Sequence, residues 1–457
     1  MHSISKRVWA LLALILAFAA GSVVMLTGFA MNGERWASNR ANSHIFSGGS
    51  VAIAGGIYDR SGMPLAVSKD GKRVMAESAI MRKATLHAVG DPEGFISAGA
   101  QSAFRDILAG YDPFNGIYEL TKYGKGSDVV LTIDANLCKT AYEALDGRKG
   151  TVGVYNYKTG EILCMVSSPT YDPLHKPKDM DGQDKYEAVY LNRFLQGVFT
   201  PGSTFKTVTS ACALQNIPDI QTRTFFCDRR YATGDGYVIC RAKHGTLPFG
   251  EALSESCNAA FAAIADELGE TNLRSMAAQL GFGKPFSVDG IPLAISTFPA
   301  GPLNNLELGW TGVGQHTTLA NPCHMMVIMG AIANGGNGVN PRLIKELISP
   351  AGHTSRYGSP RPKTMLTLDP FLAASLQPML CANVTDIYDP GLRKSGDLEL
   401  CGKTGTAEVD GKTAHAWFAG FCQNPNYPYA IVVVGENAGG GFDVALPIAI
   451  RVLNAMK

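Results

Sequence analysis

From Val8 to Met31 the chain carries no charged side chain over 24 consecutive positions, more than the ~20 residues a helix needs to cross the hydrocarbon of a bilayer. Residues 8–31 are therefore expected to span a membrane once. Lys6 and Arg7 precede the run, and positive charge is retained on the cytoplasmic side. Residues 1–7 are thus expected in the cytoplasm and everything after Asn32 outside, although Arg35 and Arg40 on the far side run against that orientation. A cleaved signal peptide is the competing reading, with Ala17-Phe18-Ala19 as a cleavage site. The apolar run continues for a further dozen residues past that site, so an uncleaved anchor is expected.

The exported remainder of a 457-residue chain can bury one large core or two smaller ones, and a net charge of +1 exerts no global pull toward nucleic acid. Residues 32–126 read as a small module. In it "GGIYDRSGMPLAVSKDGKRV" alternates Gly turns with short apolar pieces as hairpins do, and "ISAGAQSAFRDILAGYDP" has the spacing of an amphipathic helix ending near Gly110. From residue 127 to 457 the pattern changes. "GTVGVYNYKTGEILCMVSSP" is two strand-length runs around a turn; "LCGKTGTAEV", "HAWFAGFC" and "YAIVVVGE" are three more, closed by the helix "ALPIAIRVLNAM". Residues 203–335 between them read mainly as helix. The expected class is α+β: an antiparallel sheet flanked by helices, built of strands from both ends of the segment, with a helical lobe inserted.

Ten cysteines facing outward could form disulfides, yet their spacing has no small-secreted framework, so most are expected to be buried apolar residues. Cys227 and Cys240 flank a short loop and are the one pair singled out for a bridge. The histidines, among them His87, His175, His244, His316 and His415, lack His-Glu-x-x-His spacing, there is no Cys-x-x-Cys, and neither metal nor cofactor is implied.

Three short motifs carry possible chemistry. Ser203 and Lys206 stand three apart after Pro201-Gly202, where Phe205, Val208 and Cys212 begin an apolar helical spacing. One helical turn brings Lys206 to the face of Ser203, and the helix N-terminus together with burial disfavours an ammonium, leaving a neutral amine able to activate the hydroxyl. Ser256 and Asn258 head the apolar helix "SESCNAAFAAIADELG", and Lys403-Thr404-Gly405-Thr406 lies on a strand. Taken singly each has a plain structural explanation: helix-capping serines with a solvated lysine, and an ordinary strand. Ser3-Ile4-Ser5-Lys6 and Lys158-Thr159-Gly160 are decoys of the same letters. Asp397 occupies the position where a phosphate loop ending at Lys403 would need glycine.

In combination and in this order, Ser-x-x-Lys, Ser-x-Asn and Lys-Thr-Gly resemble the signature of penicillin-binding proteins and related β-lactamases. Together with "NRFLQGVFTPGSTFK", "HGTLPFGEALSESCNAAF", "CGKTGTAE" and "AWFAGF", the chain looks like a class B penicillin-binding protein, with 32–126 as its pedestal and 127–457 as its transpeptidase domain. Two features depart from the family pattern: Gly55 stands where the pedestal usually has arginine, and "MLCANVTDIYDPGLRKSGDL" differs from the usual loop.

The resemblance implies a serine D,D-transpeptidase acting on the D-Ala-D-Ala end of peptidoglycan stem peptides and acylated by β-lactams. Ser203 would be the nucleophile, Lys206 its base, Ser256 a proton relay and Asn258 a positioning group. Lys403, Thr404, Gly405 and Thr406 would hold the substrate carboxylate, with the Ser203 and Thr406 N–H groups as oxyanion hole. It also implies a multi-spanning glycosyltransferase partner. A β-lactamase is the first rival, but no Glu-x-x-Leu-Asn is present to activate a deacylating water. A D,D-carboxypeptidase would use water as acceptor, and a β-lactam sensor or scaffold would need no turnover.

Overall fold

The computed structural model describes residues 2–37, 46–47, 50–51, 54–70, 72–110, 125–357, 361–387 and 397–457. The uncharged run lies within one helix, α1 (His2–Ala37), whose apolar stretch Lys6–Phe29 has mean hydropathy 2.4 and is 0% buried. With Trp9, Leu14 and Phe18 all turned outward, this helix is long and apolar enough to cross a membrane.

The following hairpins form as expected: β1 (Ile57–Tyr58), β2 (Pro64–Lys69) and β3 (Lys72–Met75) pair in antiparallel succession. The amphipathic segment ends at Gly110, which is left-handed, but it is two short helices, Ala100–Ala103 and Arg105–Ala109. They break at Phe104, which leaves helical φ/ψ while its ring is buried in the core. Then come β4 (Asp128–Leu131) and α2 (Ala135–Leu145), whose first N–H groups are capped by the Asp134 carboxylate. The hairpin β5 (Gly150–Asn156) and β6 (Ile162–Ser168) follows. Lys158-Thr159-Gly160 is its turn, held by Asn156 Oδ1 accepting from the Lys158 and Thr159 N–H groups.

The inserted lobe contains α3 (Lys206–Asn216), then four short strands: β7 (Thr224–Cys227), β8 (Arg230–Thr233), β9 (Gly236–Ile239) and β10 (Gly245–Pro248). Helices α4 (Phe249–Ser254), α5 (Asn258–Gln279), α6 (Asn305–Val313) and α7 (Pro322–Ala333) complete it. The four strands pair as β8–β9 inside β7–β10, a nested hairpin within the region expected to be mainly helical. The chain continues through β11 (Ile344–Ile348), β12 (Thr354–Arg356), α8 (Pro370–Ala382), β13 (Leu400–Val409), β14 (Lys412–Cys422), β15 (Tyr429–Gly435) and α9 (Leu446–Asn454).

Two larger sheets organise these elements. The central one has the order β13-β14-β15-β5-β6, all antiparallel, so strands from both ends of the segment close one sheet as expected. Strand β15 is almost wholly buried and β14 is buried from Ala416 onward, and α2, α7 and α9 pack on the sheet. The second sheet has the order β12-β11-β4-β1-β2-β3 and crosses the expected boundary at residue 126. Strand β4 runs parallel to β1 on one side and antiparallel to β11 on the other. Gly55 sits at this seam, where an added Cβ would lie 1.8 Å from the Ser127 carbonyl oxygen. No side chain fits there, and Arg73 from β3 donates to the Gly55 carbonyl instead, at 2.8 Å.

Candidate active site

The chain enters α3 through a single 3-10 turn, Gly202–Phe205, and Ser203 lies half-buried in that turn. No side-chain cap bond forms at the start of the turn or of α3, so capping does not account for the serine. Lys206, the first residue of α3, is fully buried. Its Nζ donates to the Ser256 carbonyl at 2.6 Å and to Asn258 Oδ1 at 2.7 Å, and lies 3.3 Å from Ser256 Oγ and 5.3 Å from the Phe261 ring centroid. Burial first, and the charge of Lys403 second, push its pKa well below the ordinary lysine value. The neutral amine expected of a base is thereby favoured.

Ser256 sits between α4 and α5 with φ at 57°, in the left-handed region that a β-carbon disfavours. The cap of α5 is neither Ser256 nor Asn258 but Cys257, whose Sγ accepts from the Ala260 N–H at 3.4 Å. This frees both side chains for the Lys206 amine. Asn258 is itself oriented by donating from Nδ2 to the Ile239 carbonyl at 3.0 Å.

Strand β13 alternates as a half-buried strand must. Lys403 and Gly405 face inward and are buried, while Thr404 is half-buried and Thr406 exposed. Lys403 Nζ donates to the Thr404 carbonyl at 3.3 Å, and burial, then the positive charge of Arg241, lower its pKa to about 7. Two glycines let β13 lie directly on the serine turn. A Cβ on Gly202, which has φ +53°, would stand 2.8 Å from the Thr406 carbonyl oxygen, and one on Gly405 would stand 2.8 Å from that of Pro201. The Gly202 N–H also donates to the Gly314 carbonyl at 2.9 Å. Ser203, Lys206, Ser256, Asn258, Lys403, Thr404, Gly405 and Thr406 are thus brought together at the meeting of one turn, one inter-helix bend and one strand edge. A cavity of ≈ 750 Å³ opens beside them, lined by Phe199, Thr200, Trp310, Glu408 and His415 among others.

Sequence reasoning missed three things here. Asn383 is fully buried, donates from Nδ2 to the Gly402 carbonyl at 3.0 Å, and accepts at Oδ1 from Ser254 Oγ at 2.8 Å. It ties the strand of Lys403 to the helix before Ser256 from inside the segment that departs from the family pattern. Cysteine pairing also differs from expectation. The bridge is Cys381–Cys401, joining α8 to β13, whereas Cys227 and Cys240 are free thiols. Their sulfurs turn toward His244 rather than toward each other: Cys227 Sγ and Cys240 Sγ lie 3.4 Å and 3.5 Å from its Nδ1. The search for metal-ligand spacings also overlooked that Cys227, Cys240, His244 and Cys257 converge, with all four candidate ligand atoms within 4.8 Å of one another. The motif search missed them because, although they lie within residues 227–257, they include neither a Cys-x-x-Cys nor a His-Glu-x-x-His pair. The other free cysteines are buried, as expected of small apolar side chains.

A fold of this kind, holding these three motifs in one cleft, defines a serine acyltransferase of the penicillin-recognising type. The family described as "Penicillin binding protein transpeptidase domain" matches residues 150–454, and the chain belongs to it, as a class B member. Peptidoglycan D,D-transpeptidase PbpA of Mycolicibacterium smegmatis is 29% identical over 376 residues, covering 76% of each chain. Stage V sporulation protein D of Bacillus subtilis is 29% identical over 72% of this chain and 53% of its own. Penicillin-binding protein A from M. tuberculosis, solved as a penicillin G acyl-enzyme complex, superposes with a TM-score of 0.77 at 26% identity, covering 88% of this chain and 99% of that one.

Proposed function

We propose that this peptidoglycan D,D-transpeptidase works through Ser203 as its acylated nucleophile, with the neighbouring residues in the following roles. Ser203 Oγ attacks the penultimate D-Ala carbonyl and passes its proton to neutral Lys206. The oxyanion lies against the N–H groups of Ser203 and Thr406, each such donor contributing about 3–4 kcal/mol in other enzymes. As the C–N bond breaks, Ser256 delivers a proton to the departing D-Ala amine and is reprotonated by the Lys206 ammonium beside it, leaving an ester on Ser203 and Lys206 neutral again. An amine of a second stem peptide then attacks that ester, the proton it loses passes by way of Lys206 to the departing Ser203 oxygen, and the new amide forms. Asn258 holds the Lys206 amine in place. Lys403, Thr404 and Thr406 receive the terminal carboxylate, with Gly405 keeping the strand close to the serine turn.

The observation that carries this reading is the Lys206 amine. It is fully buried, its pKa is lowered by that burial, and it is bonded to Ser256 in the bend before α5 and to Asn258 at the start of that helix. A solvated surface lysine would have none of these properties. A β-lactam keeps its leaving group tethered after ring opening, so its acyl-enzyme persists. The full-length protein in detergent is expected to gain one penicillin mass on the peptide containing Ser203, and Ser203→Ala to abolish labelling. An adduct on Ser3 or Ser256, or labelling that survives Ser203→Ala, overturns the assignment.

The same reading extends to the rest of the chain. Helix α1 anchors the protein with residues 1–7 in the cytoplasm and the catalytic cleft outside, supported by Lys6 and Arg7 beside its apolar stretch. Residues 32–126 form the pedestal and 127–457 the transpeptidase domain, and a multi-spanning glycosyltransferase supplies the glycan strands.

A further inference from the structure

We infer that the cavity past Thr406 is a specificity subsite for the donor strand, taking a side-chain ammonium on the stem-peptide residue that precedes D-Ala-D-Ala. The position of the acyl group is that of the Ser203 reading, on which the inference rests. Successive side chains of a strand take opposite faces, so Thr404, Thr406 and Glu408 share one face of β13, while Lys403, Gly405 and Ala407 take the other and are buried. The register shifts between Ala407 and Val409, where the β13–β14 hairpin begins to turn, and Glu408, Val409 and Asp410 all line the cavity. Glu408 therefore continues the row of carboxylate-binding hydroxyls, about 7 Å beyond Thr406 at the rise of a strand. A donor whose terminal carboxylate meets Thr404 and Thr406, and whose penultimate carbonyl lies at Ser203, has no chain left on the Lys403 side. Its earlier residues leave toward Glu408.

The cavity, ≈ 750 Å³, is walled by Phe199 just before the serine turn, by Glu307 and Trp310 of α6, and by Glu408, Asp410 and His415 of the hairpin. Glu408 and Asp410 are exposed and have no ion pair or side-chain hydrogen bond among the described residues, whereas Glu307 is half-buried and accepts from the Asn304 N–H at 3.0 Å. Among the described residues no lysine or arginine lines the cavity; Lys412, whose charge acts on His415, stays outside the lining. His415 Nδ1 accepts from the Asn437 N–H at 3.0 Å, which requires that nitrogen to be unprotonated, and burial lowers its pKa. The imidazole thus adds no positive charge to offset the three carboxylates. Phe199 packs edge-on against His415 with ring centroids 5.5 Å apart, and Trp310 adds aromatic surface of the kind that stabilises an alkyl stem and the cation at its end.

The two ends of the cleft carry opposite charge. Lys403 and Arg241 place positive potential around the Lys206 amine, and the cavity past Thr406 is lined by acids. A peptide with an anionic end and a cationic side chain fits this field in one orientation, since the reverse sets its carboxylate against Glu408. Capping the side-chain amine removes that discrimination and leaves the grip on the terminal carboxylate intact.

Full-length protein in detergent is given two depsipeptide donors ending in D-Ala-D-lactate, which differ only in carrying lysine or Nε-acetyl-lysine before that end, and release of D-lactate is followed. The free-ammonium donor is expected to react roughly 10-fold faster at low salt, with the advantage shrinking at high salt because exposed carboxylates are screened. Glu408→Gln and Asp410→Asn should each reduce the preference by about 2- to 5-fold, and Glu408→Lys should reverse it. Equal rates for the two donors in the wild-type protein overturn the subsite, as does a preference that survives Glu408→Gln and Asp410→Asn combined. A preference that follows the free amine of an added acceptor peptide, and not the donor side chain, assigns the cavity to the acceptor and overturns the placement on the donor. Ser203→Ala is measured alongside: D-lactate release that persists in it breaks the nucleophile reading, and with it the alignment of the donor, whatever the ratio between the two peptides.

Discussion

Lys403 concentrates the energetic conflict of the site in one side chain. It is fully buried on the inward face of β13, and its pKa is lowered from 10.5 to about 7. The charged form that attracts a carboxylate therefore prevails below about pH 7 and is lost above it. Between that point and the ordinary lysine range the unfolded chain binds more protons than the folded one, so this residue's contribution makes stability rise with pH. The functional consequence has the opposite sign. Second-order acylation by penicillin should fall as pH rises through about 7 in the wild-type protein. In Lys403→Arg, whose guanidinium stays charged, that alkaline limb should move upward, at a lower absolute rate because the planar group fits the pocket less well. Stopped-flow acylation across pH checks this, and an unmoved limb in Lys403→Arg assigns it to another group.

Among elements, the contact between β13 and the bend before α5 decides whether the three motifs meet. The strand is held from its far side by the Cys381–Cys401 bridge and by Asn383, which reaches both the Gly402 carbonyl and the Ser254 hydroxyl. Replacing that amide with an apolar group of similar size leaves buried polar atoms without their partner. Asn383→Leu is expected to cost about 1–3 kcal/mol of stability and to slow acylation although the residue never touches substrate. Urea denaturation and acylation rate measured on the same preparation check both. Loss of stability with an unchanged rate would show that the amide supports the fold without aligning the cleft.

At the scale of the whole molecule, the six-stranded sheet joins the hairpins of residues 57–75 to β4, β11 and β12. Residues 344–356 return from beyond the inserted lobe to finish a sheet begun at residues 57–75. The proposed pedestal and transpeptidase domain are therefore expected to move as one connected body. A reporter fused after Trp36 should read as extracytoplasmic, and the full-length protein should resist carbonate extraction. A cytoplasmic reporter signal reverses the orientation, and a soluble form beginning near Ala20 replaces the anchor with a cleaved signal.

Periodicity and order along the chain were enough for the parts of this protein governed by local rules. The uncharged run dictated α1, strand-length apolar runs dictated β5, β6 and β13–β15, and the order of three short motifs singled out Ser203, Lys206, Ser256, Asn258 and the strand of Lys403, which the fold brings together. Long-range closure was decided only in three dimensions. Gly55 reads as a departure in sequence, but at the seam within the six-stranded sheet, between β1 and β4, it is the residue with no Cβ to collide with the Ser127 carbonyl. Cys381 and Cys401 become partners because α8 lies alongside β13. Cys227, Cys240, His244 and Cys257 have no spacing that marks them, and become neighbours because a nested hairpin folds onto the start of α5. Hydrophobic period and turn chemistry act over a few residues, whereas a bridge, a buried amide or a ligand cluster depends on which distant elements pack together.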